Sequence, residues 1–281
     1  MDTHTIAHWY DASTPLYKLF WYRNSDRFAL HYGLWDPQTK SIGEALSNTN
    51  AFMAAQAHIT SGSRVLDAGC GIGGSVFWLA EHTGASVTGI NISHKQIKRA
   101  QALAHARNVG NLVTFSLADY VQTEFPNETF DVVWALESVC HAEQKEAFLA
   151  EAYRVLKRGG RVIVADGFLR RAPKTRHEHQ LVADFYTGML LPNLYTFEQF
   201  ETAMRQSGFK NITVFDKTKE IVPSSKRLAV ICRVMLPLII LAAKMHWVPE
   251  IFIAGCKAGM VQYEAVLVGV GGYGIMYGEK G

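Results

Sequence analysis

Residues 65–74 read Val-Leu-Asp-Ala-Gly-Cys-Gly-Ile-Gly-Gly, and this stretch decides the fold. An apolar pair leads into Asp67, and glycines then occupy every second position from Gly69 to Gly73. Residues 75–81 can open a helix after this turn. A strand, a glycine turn and a helix start form a nucleotide-sized binding site, because glycines let a ligand approach the backbone. The carboxylate of Asp67 lies at the end of the strand, directly before the turn.

Two classes of ligand compete for this loop. Gly69, Gly71 and Gly74 satisfy the G-x-G-x-x-G fingerprint of dinucleotide-binding proteins. That fingerprint also needs an acid roughly 20 residues further on to hold a ribose, and Asn91 occupies the position here. A pyrophosphate would be repelled by Asp67, whereas the ammonium group of S-adenosylmethionine would be attracted to it. The loop therefore favours S-adenosylmethionine over a nicotinamide or flavin dinucleotide, and over a turn with no ligand.

The rest of the chain alternates apolar strands with helical segments, which indicates a parallel sheet covered by helices on both faces. Strands are predicted at 64–67, 86–90, 112–117, 130–136, 161–166 and 211–215, and helices at 41–59, 73–82, 93–108, 143–156, 181–191 and 196–208.

Four ordered motifs resemble those of the class I S-adenosylmethionine-dependent methyltransferases, over roughly residues 60–215. The run from Asp67 to Gly73 looks like their first motif. Gly89-Ile-Asn-Ile-Ser-His-Lys-Gln96 resembles the second motif of the sterol, tocopherol and cyclopropane-fatty-acid branch. Residues 118–120 look like the adenine motif, residues 130–136 like the fourth strand, and residues 154–163 like the turn that follows the next helix.

This resemblance implies an α/β fold: a doubly wound, mostly parallel seven-stranded sheet of the Rossmann-like methyltransferase type. The last strand, 271–278, is expected to pair antiparallel at the sheet edge. Residues 1–60 are expected to form an N-terminal helical lid. Residues 61–281 would then form the methyltransferase core, with helical cap insertions at about 167–200 and 223–256.

The resemblance also implies roles in cofactor binding. Asp67 would hold the ammonium group, and Asn91 and Gln96 would share the ribose hydroxyls. Asp119 would accept from the adenine amino group, unless it serves only as a turn acid before the ring of Tyr120. The complete predicted set for the cofactor is Tyr32, Asp67, Gly69, Cys70, Gly71, Gly73, Asn91, Ile92, Gln96, Ala118, Asp119, Tyr120 and Leu136.

Glu137 and His141 follow the fourth predicted strand and are the predicted catalytic residues. A spacing of four places both side chains on one face if a helix begins here. Sterol and tocopherol methyltransferases carry a similar E-x-x-x-H at this point. Either residue could remove a proton after methylation of an alkene, and His141 could instead deprotonate an amine or phenol. A surface or capping role for the histidine is the alternative.

Aromatic residues crowd the N-terminal region. Residues 28–35 resemble the "HYGYW"-like lid of the same branch. Trp21, Tyr22 and Trp35 are predicted to wall the substrate pocket, together with Tyr186 from the predicted helix at 181–191. The alternative is that these aromatics only pack helices onto the sheet.

Bulk properties limit the partners and the location. A net charge of +3 gives no reason to expect nucleic acid. The four cysteines have no paired spacing, which indicates a reducing compartment rather than disulfides or zinc. With no signal peptide visible, a cytoplasmic location is expected. The uncharged run 234–243 is too short to span a bilayer, so residues 230–253 are predicted to form a buried lid helix or one that lies on a lipid surface.

The sequence thus predicts methyl transfer from S-adenosylmethionine to a small lipophilic acceptor, foremost C-methylation of an isoprenoid, sterol or prenylated compound. N- or O-methylation of an amine or phenolic natural product is the alternative, and a non-catalytic cofactor-binding protein is a third class. The basic loop 170–179 is either solvated or a site for an anionic head group. No metal site is predicted, because His177 and His179 lack a third ligand. Homo-oligomer formation stays open.

Overall fold

The computed structural model describes residues 5–12, 31–107 and 109–281, so Trp21 and Tyr22 lie outside the described residues. The strands are β1 (Arg64–Ala68), β2 (Ser86–Asn91), β3 (Val113–Leu117), β4 (Phe130–Leu136), β5 (Leu156–Leu169), β6 (Phe209–Asp216) and β7 (Gly271–Lys280). The helices are α1 (5–12), α2 (Ile42–Gln56), α3 (Gly74–Thr83), α4 (His94–Ala106), α5 (Lys145–Val155), α6 (Arg176–Met189), α7 (Phe197–Gln206), α8 (Val222–Lys244) and α9 (Ile251–Leu267). A single 3-10 turn, Val139–His141, follows β4.

The described strands form one sheet in the order β3-β2-β1-β4-β5-β7-β6. Strands β1 to β5 are parallel, and Val65 pairs with both Val87 and Val132. These valines are almost completely buried, as parallel strands covered on both faces require. The predicted α/β fold with a doubly wound, seven-stranded sheet is therefore confirmed.

The predicted edge position of the last strand is wrong. Strand β7 is antiparallel, but it lies between β5 and β6, since Tyr277 pairs with Ile163 on one side and with Thr213 on the other. Nearly every residue of β7 is buried, whereas β6 is largely exposed and forms the edge. Glycines make the interior position possible: a Cβ on Gly274 would come within 2.4 Å of the Phe197 ring of α7.

Helices α6 and α8 both pack closely against α9. On α6, a Cβ on Gly188 would lie 2.2 Å from the Ala254 carbonyl oxygen of α9. On α9, a Cβ on Gly259 would lie 2.4 Å from the Cys232 sulfur of α8. Residues of all three helices line one cavity together with Asp166 and Gly167, near the carboxyl end of β5. Within the ranges that the structure describes, the helices fall short of the length and hydrophobicity needed to cross a membrane.

Candidate active site

An open cleft of about 870 Å³ lies at the carboxyl ends of β1, β2 and β4. Ligands of open α/β sheets bind in this position. Most of the residues predicted to bind the cofactor line it. These are Asp67, Gly69, Cys70, Gly71, Asn91, Ile92, Gln96, Tyr120 and Leu136.

Gly69, Gly71 and Gly73 form the turn after β1, and they differ in what a side chain at each position would contact. A Cβ on Gly69 would lie 2.4 Å from the Ser138 Cβ, so this glycine lets the segment after β4 pack on the turn. Gly71 has φ +56° and lines the cleft, and a Cβ there would meet no atom within 4 Å. Gly73 has φ +93° and begins α3, where a Cβ would clash with the Phe77 ring. The backbone at Gly71 is therefore left open for a ligand.

The side-chain carboxyl of Asp67 is buried, and its hydrogen bonding among the described residues is incomplete. Its side chain is 2% exposed, and Oδ2 has no hydrogen-bond partner among the described residues. Burial raises the pKa of Asp67 to about 7 because desolvation penalises the charged form. A cationic group entering the cleft would satisfy this oxygen and restore the carboxylate.

Asn91 and Gln96 both line the cleft and contact each other. Asn91 Nδ2 donates to Gln96 Oε1 at 2.7 Å, and Asn91 Oδ1 accepts from the Ser93 amide at 3.0 Å. Ser93 caps α4 and donates from Oγ to Asp11 of α1. Helix α1 is thereby held against this end of the cleft. The predicted sharing of ribose hydroxyls stays a prediction.

The residues predicted to hold adenine lie at the end of β3. Ala118 and Asp119 are not among the residues that line the cleft, whereas Tyr120 is. Asp119 Oδ1 accepts from the Val121 amide at 3.0 Å, which is the turn arrangement. Tyr120 donates from its hydroxyl to the Ser138 carbonyl at 2.9 Å. The role of Asp119 towards adenine stays a prediction.

A second cavity, of about 800 Å³, adjoins the first and shares Tyr10, His31, Glu137 and His141 with it. We call these four residues the junction. The remaining lining is mainly apolar, with Asp166 and Gln262 as polar exceptions. The apolar residues are Phe185, Met189, Leu191, Leu194 and Leu228.

A third cavity, of about 500 Å³, continues from the second and includes Tyr186, one of the predicted substrate residues. Tyr32, predicted for the cofactor, lines the second and third cavities instead of the first. Trp35 lines none of these three cavities, and its Nε1 donates to Ser224 Oγ at 2.9 Å. Among the described residues that line the three cavities there is no lysine or arginine.

Glu137 is held at the junction by two donors. Its Oε1 accepts from the Tyr32 amide at 2.6 Å and from the Tyr273 hydroxyl at 2.9 Å. Burial raises the pKa of Glu137 to about 8. The residue has φ +51°, so it precedes the 3-10 turn and is not part of a helix with His141. Both predicted catalytic side chains nevertheless line the junction.

His141 is partly buried, and desolvation lowers its pKa to about 4, so the imidazole is neutral at pH 7. The Tyr10 hydroxyl lies 2.7 Å from His141 Nε2. Lys145 fixes the turn by donating to the carbonyls of Cys140 and Ala142 at 3.0 and 2.6 Å. The Cys140 amide donates to Asp166 Oδ2 at 2.8 Å.

Sequence reasoning did not select His31, Tyr10, Asp166 or Tyr273. His31 has the clearest chemistry: its Nδ1 lies 2.8 Å from the Tyr32 carbonyl oxygen. A carbonyl can only accept, so Nδ1 carries the proton. Burial lowers the pKa of His31 to about 4, so Nε2 keeps its lone pair. Nε2 is buried without a hydrogen-bond partner among the described residues.

Basic side chains of the loop 170–179 are paired with acidic residues of the same protein. Arg170 donates to Asp216 at 2.9 Å, and Arg171 forms a two-point pair with Glu178 at 2.8 and 2.9 Å. Hydrogen bonds from Arg171 lower the pKa of Glu178 to about 2. His177 Nε2 lies 2.9 Å from Glu264. These side chains are directed to neighbouring acids and do not line the three cavities described.

Comparison with known proteins agrees with this geometry. The methyltransferase domain family matches residues 66–164. The chain is 31% identical over 220 residues to 27-O-demethylrifamycin SV methyltransferase of Amycolatopsis mediterranei, covering 78% of each protein. The chain is an S-adenosylmethionine-dependent methyltransferase. It is also 31% identical over 211 residues to a sterol 24-C-methyltransferase of Eremothecium gossypii, covering 74% of this chain and 55% of that one.

Solved structures resemble the whole methyltransferase. The [4+2]-cyclase SpnF superposes with a TM-score of 0.79 at 25% identity, covering 99% of this chain and 96% of SpnF. Geranyl diphosphate C-methyltransferase from Streptomyces coelicolor, solved with Mg²⁺, geranyl diphosphate and S-adenosyl-L-homocysteine, superposes with a TM-score of 0.76 at 18% identity. It covers 99% of this chain and 97% of that one.

The residues of the cleft fit the methyl donor of this family, S-adenosylmethionine. The unpartnered Asp67 oxygen suits an ammonium group, and the open space at Gly71 admits a ligand against the backbone. A diphosphate has no cation to receive it among the described lining residues. The methyltransferase therefore carries a cleft whose charge matches a positively charged donor.

Proposed function

We propose that the protein methylates a carbon atom of an uncharged lipophilic acceptor of the isoprenoid, sterol or prenylated type. The observation that carries the proposal is the second cavity, which is mainly apolar and opens onto the junction. Related proteins named for C-methylation of sterols and of an isoprenoid diphosphate support a carbon acceptor.

The cofactor supplies a methyl group that is already activated by the sulfonium. The protein has to align the acceptor carbon with that methyl group and exclude water. As an alkene forms the new C–C bond and the C–S bond breaks, a carbocation remains on the acceptor. The rings of Tyr10 at the junction and of Tyr32 in the second cavity could stabilise such a cation by about 0.5–2 kcal/mol each.

Loss of a proton from the neighbouring carbon restores the double bond, and this step needs a base. We assign it to Glu137, whose carboxyl lies at the junction and has a pKa of about 8. Its two donors, the Tyr32 amide and the Tyr273 hydroxyl, fix the carboxyl in place. The positive charge of the methyl donor would favour the carboxylate form, so Glu137 would lose its proton to solvent when the donor binds and would be a base before the acceptor cation forms.

The charges around the cavities argue against a diphosphate acceptor. Asp67 and Asp166 are buried and Glu137 is partly buried, and desolvation raises the pKa of each carboxyl. The described lining residues include no lysine or arginine, and moving an anionic head group into such surroundings costs several kcal/mol. An uncharged head group is therefore the better match.

A panel of acceptors tests the proposal. We expect gain of one methyl group with uncharged sterols or prenylated compounds, and none with geranyl diphosphate under the same conditions. Mass spectrometry with S-adenosylmethionine labelled in the methyl group detects the transfer, and NMR locates the labelled carbon. Methylation of geranyl diphosphate alone would contradict the proposal. Conversion of an acceptor without change of mass would point to cyclisation or isomerisation instead.

O-methylation is the second candidate, and His31 is the observation that favours it. A hydroxyl acceptor could donate to the unpartnered Nε2, which would take the proton as the new C–O bond forms. The rifamycin relative, named as an O-demethylrifamycin methyltransferase, is compatible with this chemistry.

His31→Asn separates the two candidates. The asparagine amide can still donate to the Tyr32 carbonyl in place of Nδ1, but the distal lone pair is lost. If the acceptor is a hydroxyl, we expect kcat to fall about 100-fold or more, as removal of a general base does. If the acceptor is carbon, we expect kcat to stay within about fivefold. Single-turnover rates give the answer, and calorimetric affinity for S-adenosylhomocysteine controls for folding.

A further inference from the structure

The outward face of α8 is unusual for an exposed helix surface because it is apolar. Its large exposed side chains recur at helical spacing over about 22 Å of helix, and Val234 is 65% exposed. Trp247, just beyond the helix, is 72% exposed. We call this surface the α8 face, and it comprises Val230, Val234, Leu238, Leu241, Met245 and Trp247.

The charges on α8 all have one sign. Four exposed cations lie on the same side of the helix as the apolar residues, and the helix contains no Asp or Glu. Three of them, Lys226, Arg233 and Lys244, lie along one flank of the apolar stripe when the helix is projected at 100° per residue. Arg227 lies at the beginning of the stripe.

We propose that the α8 face binds the surface of a bilayer that contains anionic lipid, with the helix lying in the interface. The apolar side chains would enter the acyl boundary, Trp247 would sit at head-group level, and the four cations would meet lipid phosphates. Charge complementarity favours anionic lipid over a second copy of the chain, because a surface with only positive charges repels a copy of itself.

The same helix borders the second cavity. Leu228 of α8 lines that cavity, together with Gly259 and Gln262 of α9. If one face of α8 lies on lipid, its inner side still lines the second cavity. An acceptor dissolved in the membrane is then separated from the junction by the width of one helix. The binding proposal itself holds whatever the acceptor is.

A matched pair of variants tests the α8 face. Leu241 and Leu117 are both 56% exposed, but Leu117 ends strand β3 at the far side of the sheet. We expect co-sedimentation with vesicles of phosphatidylcholine and phosphatidylglycerol to fall about tenfold in Leu241→Gln and to stay unchanged in Leu117→Gln. Vesicles of phosphatidylcholine alone should bind the parent protein more weakly, by about fivefold for each cation engaged.

Three outcomes would overturn the proposal. Absence of vesicle binding by the parent protein, or equal binding by the two variants, removes the assigned surface. If sedimentation velocity instead shows a dimer that Leu241→Gln dissociates, the α8 face is an interface between copies of the chain. Affinity for S-adenosylhomocysteine should be the same in all three proteins, because neither leucine lines the cofactor cleft.

Discussion

Asp67→Asn is expected to weaken binding of S-adenosylhomocysteine about 10- to 100-fold. Oδ2 of Asp67 lies in the cleft beside the glycine turn and has no hydrogen-bond partner among the described residues. A hydrogen bond to a charged group contributes about 1.5–3 kcal/mol, which corresponds to that loss of affinity. Isothermal calorimetry measures it. Asp166→Asn, which changes a buried carboxyl of the second cavity alone, should leave the affinity within about twofold.

Although Asp67→Asn weakens ligand binding, it is expected to stabilise the folded protein. The pH dependence of this gain in stability can be predicted. The pKa of Asp67 is raised from 3.8 to about 7 in the folded protein, so the folded state holds the proton more tightly than the unfolded state. The contribution of Asp67 to the free energy of unfolding of the parent therefore falls as pH rises from about 4 to about 7. Asparagine has no charge to bury, so the variant should gain stability relative to the parent over that range, by an amount on the order of 4 kcal/mol.

Denaturant unfolding of the ligand-free proteins at pH 5, 6, 7 and 8 would reveal this difference. A gap between variant and parent that does not widen with pH would contradict the assigned ionisation of Asp67. Because a bound ammonium restores the carboxylate, ligand binding near pH 7 should also release a proton. Calorimetry in two buffers that differ in ionisation enthalpy detects this release, which should disappear in Asp67→Asn.

Glu137→Gln is expected to reduce kcat by about 100-fold or more while affinity for S-adenosylhomocysteine changes only a few-fold. The glutamine oxygen can still accept from the Tyr32 amide and the Tyr273 hydroxyl, so the turn keeps its shape. The loss is that of a general base, which contributes about 10²- to 10⁴-fold. Single-turnover kinetics separates this loss from binding, and a kcat within twofold of the parent would exclude Glu137 as the base.

Tyr273→Phe is the matched control for this experiment, because it removes one donor and leaves the carboxyl. The Tyr273 hydrogen bond lowers the pKa of Glu137, although burial keeps that pKa near 8. Without the bond the pKa rises further, so a smaller fraction of Glu137 is ionised at any pH below it. The rise of kcat with pH should therefore shift to higher pH in Tyr273→Phe and be absent in Glu137→Gln.

Local patterns predicted the parallel half of the sheet well. The apolar run before Asp67 and the run 130–136 are strands β1 and β4 with almost the predicted bounds. Buried parallel strands are continuous apolar segments bounded by turns, so they can be recognised without knowing their neighbours. The position of β7 could not be recognised in this way, because it depends on pairing with two strands far away in the chain.

The residues of the site likewise divide into those that local motifs predict and those that only the tertiary structure brings to the site. Asp67, Gly71 and Glu137 follow directly from motifs at strand ends, and the structure places all three at the cleft. Tyr273 reaches Glu137 only through the pairing of β7 with β5. His31 lies in a motif that was noticed, but its availability as a base depends on which nitrogen the Tyr32 carbonyl engages. A sequence does not contain that information.

The interior position of β7 also affects how the chain folds during its synthesis. Among the described strands β6 pairs only with β7, so during synthesis it emerges before its partner, residues 271–280, has been made. Meanwhile β5 also presents a free edge, and unpaired edges recruit other chains. Assembly of this side of the sheet is thus a late, non-local step, and such steps are slow and prone to aggregation. Mutations that weaken β7 should lower the yield of soluble protein before they alter catalysis.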